Sequence, residues 1–130
     1  MKNLKMAERH SNSVIILDME GNIRLGQDSR EFHDTIRLLT ERGEKNVLLN
    51  MEKVSYVDSC GLGEIVAGYT TLQKNEGELK LLHLTNRVTE LMVITKLLTV
   101  FEVFEDEGLA VKSFKNNSQK NELKQTASIS

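Results

Sequence analysis

Short apolar runs alternate along this chain with stretches whose apolar residues recur every three or four positions, and that alternation limits it to few folds. Val14-Ile15-Ile16-Leu17, Val47-Leu48-Leu49, Val54-Ser55-Tyr56-Val57, residues 79–84 and the alternating residues 100–104 have strand character. Helical stripes lie between them: Phe32, Ile36 and Leu39; Leu62, Ile65, Val66, Tyr69 and Leu72; then Val88, Leu91 and Met92. Residues 107–114 fit a short last helix. Strands joined through helices become parallel neighbours with the helices packed on the sheet. Glu20-Gly21-Asn22 predicts a turn, after which residues 23–25 pair back as a hairpin and add an antiparallel edge. The fold class is α/β: a single domain with a mixed, mostly parallel sheet, an antiparallel N-terminal edge and packed helices.

The punctuation supports these elements. Asp28-Ser29-Arg30-Glu31 has the spacing of a capping box, with Asp28 as the cap and Glu31 reaching back. Gly43 closes that helix, Asn75-Glu76-Gly77 stops the next, and Thr85-Asn86 offers caps for the third. With no proline in the chain, helix ends rely on Gly, Asn, Asp and Ser. At 130 residues the chain suits one domain whose core needs no disulfide or metal staple. We expect a partly flexible N-terminal segment over 1–12, the domain over 13–114, and a disordered tail over 115–130, where KNNSQKNELKQTASIS has few apolar residues and no period.

Charge and sequence termini narrow the functions. The net charge is −2 with mixed signs, which lacks the concentrated basic footprint of a nucleic-acid binder. The single cysteine, Cys60, excludes an intramolecular disulfide and suits a reducing compartment. MKNLKMAERHSNS has no apolar core of a secretory signal, and no apolar stretch is long enough to cross a bilayer. A cytoplasmic protein that binds neither membrane nor nucleic acid is expected.

The segment YVDSCGLGEIVAGYT, residues 56–70, carries the chemistry. It places an acid, a hydroxyl and a thiol (Asp58, Ser59, Cys60) at the start of a helix, with Gly61 and Gly63 just after. Unpaired backbone N–H groups make such a position favourable for an anion. The simpler role for Asp58 or Ser59 is that of an N-cap. Leu62 stands where a capping box around Ser59 would need Glu or Gln, so Ser59 lacks a reciprocal partner and its hydroxyl is free to point outward. Gly61 and Gly63 keep bulk away, so a partner's active site could approach. A nucleophilic serine needs a base; His10, His33 and His83 form no recognisable partner motif, and a G-x-S-x-G elbow is absent. Gly61-Leu62-Gly63-Glu64 lacks the lysine of a phosphate-binding loop. Cys60 has no resolving cysteine, and a small residue under the helix is its simpler role.

These residues resemble a known family. Asn50, Val57-Asp58-Ser59-Cys60-Gly61-Leu62-Gly63 and Gly77-Glu78-Leu79 match the signature of the STAS domain family, specifically the bacterial anti-sigma factor antagonists, and LTNRVTELMVITKLLTVFEVFED resembles its third helix and last strand. The likeness covers residues 14–114. It implies a non-enzymatic protein without a cofactor or metal. It further implies binding to an anti-sigma factor that is a GHKL-type serine kinase, release of a sigma factor, phosphorylation at Ser59 and resetting by a PP2C-type phosphatase. The implied docking face comprises the loop Val57 to Gly63, with Asp58, Ser59, Cys60, Gly61, Leu62 and Gly63, then Glu64 and Gly68 as exposed positions on the following helix, and part of the Gly21 to Asp28 segment, including Arg24. The implied oligomeric state is a monomer or weak dimer. Two positions depart from the pattern: Cys60 replaces a hydroxyl, and Arg24 stands where an acid is usual. A STAS subunit of another signalling or transport-regulating complex is the alternative within the fold. A small hydrolase or nucleotide-binding enzyme is the weaker alternative outside it.

Overall fold

The computed structural model describes residues 4–115. Five strands form one sheet in the order β1-β2-β3-β4-β5. They are β1 (Leu4–Ser11), β2 (Val14–Ile23), β3 (Asn46–Val57), β4 (Glu78–Leu82) and β5 (Val103–Phe104). The helices are α1 (Gln27–Glu41), α2 (Ser59–Lys74), α3 (Asn86–Ile94) and α4 (Glu107–Ser113). β1 pairs antiparallel with β2, and every other pairing is parallel.

Period-two alternation divides the apolar residues between two faces. Ile15, Leu17, Val47, Leu49, Leu79 and Leu81 point to the face covered by α1, α2 and α3. Val14, Ile16, Leu48 and Leu82 point to the other, where α4 seals them with Ala110, Val111 and Phe114. β3 carries apolar residues on both faces because both are covered, which explains its uninterrupted Val-Leu-Leu run.

Four local expectations need correction. The antiparallel edge exists, but its strands are β1 and β2. The chain reverses at Asn12-Ser13, with Asn12 at φ 55°, and residues 23–25 do not pair back. β2 continues through Gly21, whose φ of 110° accommodates an irregularity in the β2–β3 register rather than a turn. The sheet therefore begins before residue 13: most of the segment over 1–12, expected to be partly flexible and outside the domain, is the edge strand β1. The cap of α1 is not Asp28: Gly26, at φ 107°, occupies the N-cap position, and Asp28 lies buried inside the first turn. Ser29 Oγ instead donates to the Gly26 carbonyl at 3.2 Å. Finally, β5 is only two residues long, because Phe101 turns into the core, edge-on to Tyr69 with ring centroids 5.1 Å apart. The expected tail over 115–130 lies, beyond Lys115, outside the described residues.

Candidate functional site

β2 and β3 are parallel neighbours that end together, with Ile23 opposite Val57. The chain leaves both strands at the same edge and enters α1 and α2, so two loops meet at the carboxyl ends of two strands. Open α/β sheets commonly place their binding surfaces there.

Asp58 stitches the loops together. It is the N-cap of α2, and its Oδ1 accepts from the Gly61 N–H at 2.8 Å. Its Oδ2 accepts from the Leu25 N–H, also at 2.8 Å, and its own N–H donates to the Ile23 carbonyl at 3.2 Å. Burial opposes ionisation of this carboxyl. The N–H groups of Gly61, Leu25 and Cys60, followed by the Arg24 charge, outweigh that effect and leave its pKa below the usual carboxylate value. A carboxylate held by two backbone donors is poorly placed to take a proton from a neighbouring hydroxyl.

Ser59 is the first residue of α2 and is exposed, as are Cys60 and Gly63. Among the described residues, no group hydrogen-bonds the Ser59 hydroxyl. Gly61 and Leu62 face inward. A Cβ at Gly61 would overlap the Ile23 carbonyl, whereas one at Gly63 would meet open space. The requirement at Gly61 is therefore close packing of α2 on the end of β2, not room for a partner. Leu62 belongs to the core. Glu64 is half-buried and lies 3.0 Å from His33 Nδ1 on α1. Gly68 is buried rather than exposed, because a Cβ there would touch Ile36 and Leu79. The outward-facing set from the expected docking face is thus Ser59, Cys60, Gly63 and Arg24, with Glu64 beside them.

The fold picks out Leu25 within the Gly21 to Asp28 segment and adds residues that the sequence did not single out. Leu25 is 73% exposed although its backbone is tied to Asp58. Tyr56, near the end of β3, lies beneath two guanidinium groups: Arg24 at 5.4 Å and Arg87 of α3 at 5.1 Å from the ring centroid. Leu25 carried a weak signal, an apolar residue between a charge and a glycine. Arg87 carried none, because only folding brings α3 to this edge.

Among the described residues no group of His, Cys, Asp and Glu is arranged to hold a metal ion, and no helix is long and apolar enough to cross a membrane. The model of the STAS domain family matches residues 5–110. The anti-sigma-B factor antagonist of Staphylococcus aureus is 33% identical over 82 residues, covering 63% of this chain and 74% of that protein. The crystal structure of an anti-sigma factor antagonist from Mycobacterium paratuberculosis superposes with a TM-score of 0.73 at 14% identity, covering 87% of this chain and 95% of the other. The Bacillus cell fate determinant SpoIIAA in its phosphorylated form gives 0.66 at 15% identity, covering 83% and 97%. At those identities the two structures speak for the fold, while the family match and the staphylococcal relative speak for kinship. The chain belongs to the STAS domain family and, within it, to the anti-sigma factor antagonists.

Proposed function

We propose that this chain is a phosphorylation-switched, non-enzymatic binding protein of the cytoplasm. In its unmodified form it docks the edge around Ser59 onto an anti-sigma factor that is a GHKL-type serine kinase, and a sigma factor is released. The kinase phosphorylates Ser59, the complex separates, and a PP2C-type phosphatase restores the serine.

The observation that carries this reading is the division of labour between Asp58 and Ser59. Asp58 is held by the backbone as the helix cap, while Ser59 presents an exposed hydroxyl at the first position of α2. A phosphoryl group there adds about −1.5 to −2 charges. The positive end of the α2 dipole favours that charge within this protein. A partner surface fitted to a neutral serine must instead desolvate and accommodate a dianion beside Asp58, so modification weakens the complex without refolding the antagonist.

The test is incubation with the purified partner kinase and magnesium–ATP, followed by intact-mass measurement and site mapping. One phosphate on Ser59, absent from Ser59→Ala, is the expected result. A kinase that modifies an established substrate in the same preparation but leaves this chain unmodified contradicts the proposal.

A further inference from the structure

Arg24 follows directly on β2, Arg87 lies in the first turn of α3, and both guanidinium groups stand over the one ring of Tyr56. Both arginines are exposed. Among the described residues neither is paired with a carboxylate, whereas Arg9, Arg37 and Arg42 each are. The nearby carboxylate of Asp58 is held by backbone N–H groups. Two exposed cations over one ring, with no carboxylate partner among the described residues, leave positive charge at this edge for an arriving anion. Stacking on Tyr56 also restrains both side chains, so less rotamer freedom is lost when they engage a ligand. Leu25, the next residue after Arg24, adds an exposed apolar anchor. Arginine and tyrosine grouped at one edge have the composition of an interface hot spot.

We infer that Arg24, Tyr56, Arg87 and Leu25 form the specificity patch of this docking face, and that it takes an acidic patch on the anti-sigma factor. This inference rests on the docking role proposed above and adds the chemistry of the partner surface. The planar forks of two arginines suit carboxylate side chains, which each can bind through two parallel hydrogen bonds. The patch lies beside Ser59, so the same contact that selects the partner also brings its active site to the hydroxyl.

The test compares the wild-type chain with the double variant Arg24→Glu, Arg87→Glu in stopped-flow association with the purified partner kinase at several salt concentrations. Both substitutions are on exposed side chains, and thermal unfolding of the variant checks that the fold is kept. We expect the association rate to fall by about tenfold or more at low salt and its salt dependence to flatten. An unchanged rate and salt dependence overturn the inference. A second arm needs no kinase: the side-chain Nε–Hε resonances of Arg24 and Arg87 are followed by NMR as hexaglutamate or hexalysine peptide is added. Shifts with hexaglutamate and none with hexalysine support the patch; no shift with either overturns it. If both resonances move strongly on phosphorylation of Ser59 but not with hexaglutamate, the arginines capture the phosphate intramolecularly and the partner-docking inference is wrong. Failure of the kinase to bind the wild-type chain counts against the docking role itself, and the peptide arm still decides the chemistry of the patch.

Discussion

Asp58 caps α2 with one carboxylate oxygen and holds the Leu25 backbone with the other, so its removal should affect two loops at once. Asp58→Ala is expected to lower stability by about 1–2 kcal/mol in urea unfolding. Asp58→Asn can retain the cap through its one oxygen but loses the Leu25 bond, so its loss should be smaller. The acid sign follows from the lowered pKa. The contribution of Asp58 is complete at neutral pH and is lost as pH falls through its folded value, which lies below the usual carboxylate value. The stability gap between wild type and Asp58→Asn should therefore narrow on acidification. The two glycines separate structure from surface. Gly61→Ala must move the end of β2 and should cost about 1–3 kcal/mol, while Gly63→Ala should fold normally. Thermal unfolding of both variants checks this contrast. The outward serine was legible because Leu62 denied it a capping partner. The role of Gly61 was not, because the carbonyl it must avoid belongs to Ile23, far away in sequence.

At the scale of elements, the helical stripes fixed α1, α2 and α3, and Thr85 caps α3 as its position suggests, through the Val88 N–H. β1 was hidden because it is an edge strand: most of its residues are exposed and polar, and β2 rather than its own pattern holds it in place. The second face of the sheet depends on a buried lysine. Lys80 Nζ donates to the carbonyl and the hydroxyl of Ser113, at 3.0 and 2.9 Å, and lies near Glu78 and the rings of Phe104 and Phe114. A lysine within an apolar strand gives no hint of this role until α4 closes over it. Lys80→Ala should destabilise the protein by roughly 1.5–3 kcal/mol and speed amide exchange in α4 more than in α2. Lys80→Met, which keeps an apolar stem, should cost less. Equal exchange in both helices would show that Lys80 does not anchor α4 specifically.

For the molecule as a whole, the spatial order of the strands follows the order of the chain, and the parallel register brings the exits of β2 and β3 to one edge. The alternation of strand and helix made that architecture legible. The meeting of Arg24, Tyr56 and Arg87 depends on where α3 lands, which no local pattern encodes. A switch at this edge needs no rearrangement of the sheet, because the hydroxyl already faces outward on a capped helix. Phosphorylation should accordingly act on binding and leave the fold unchanged. The most direct measurement is the affinity of the purified partner kinase for the unmodified chain and for the chain phosphorylated at Ser59, by calorimetry under one nucleotide condition. The account predicts that the phosphorylated form binds at least about a hundredfold more weakly, ~2.7 kcal/mol, with an unchanged circular dichroism spectrum. Equal affinity of the two forms would contradict it.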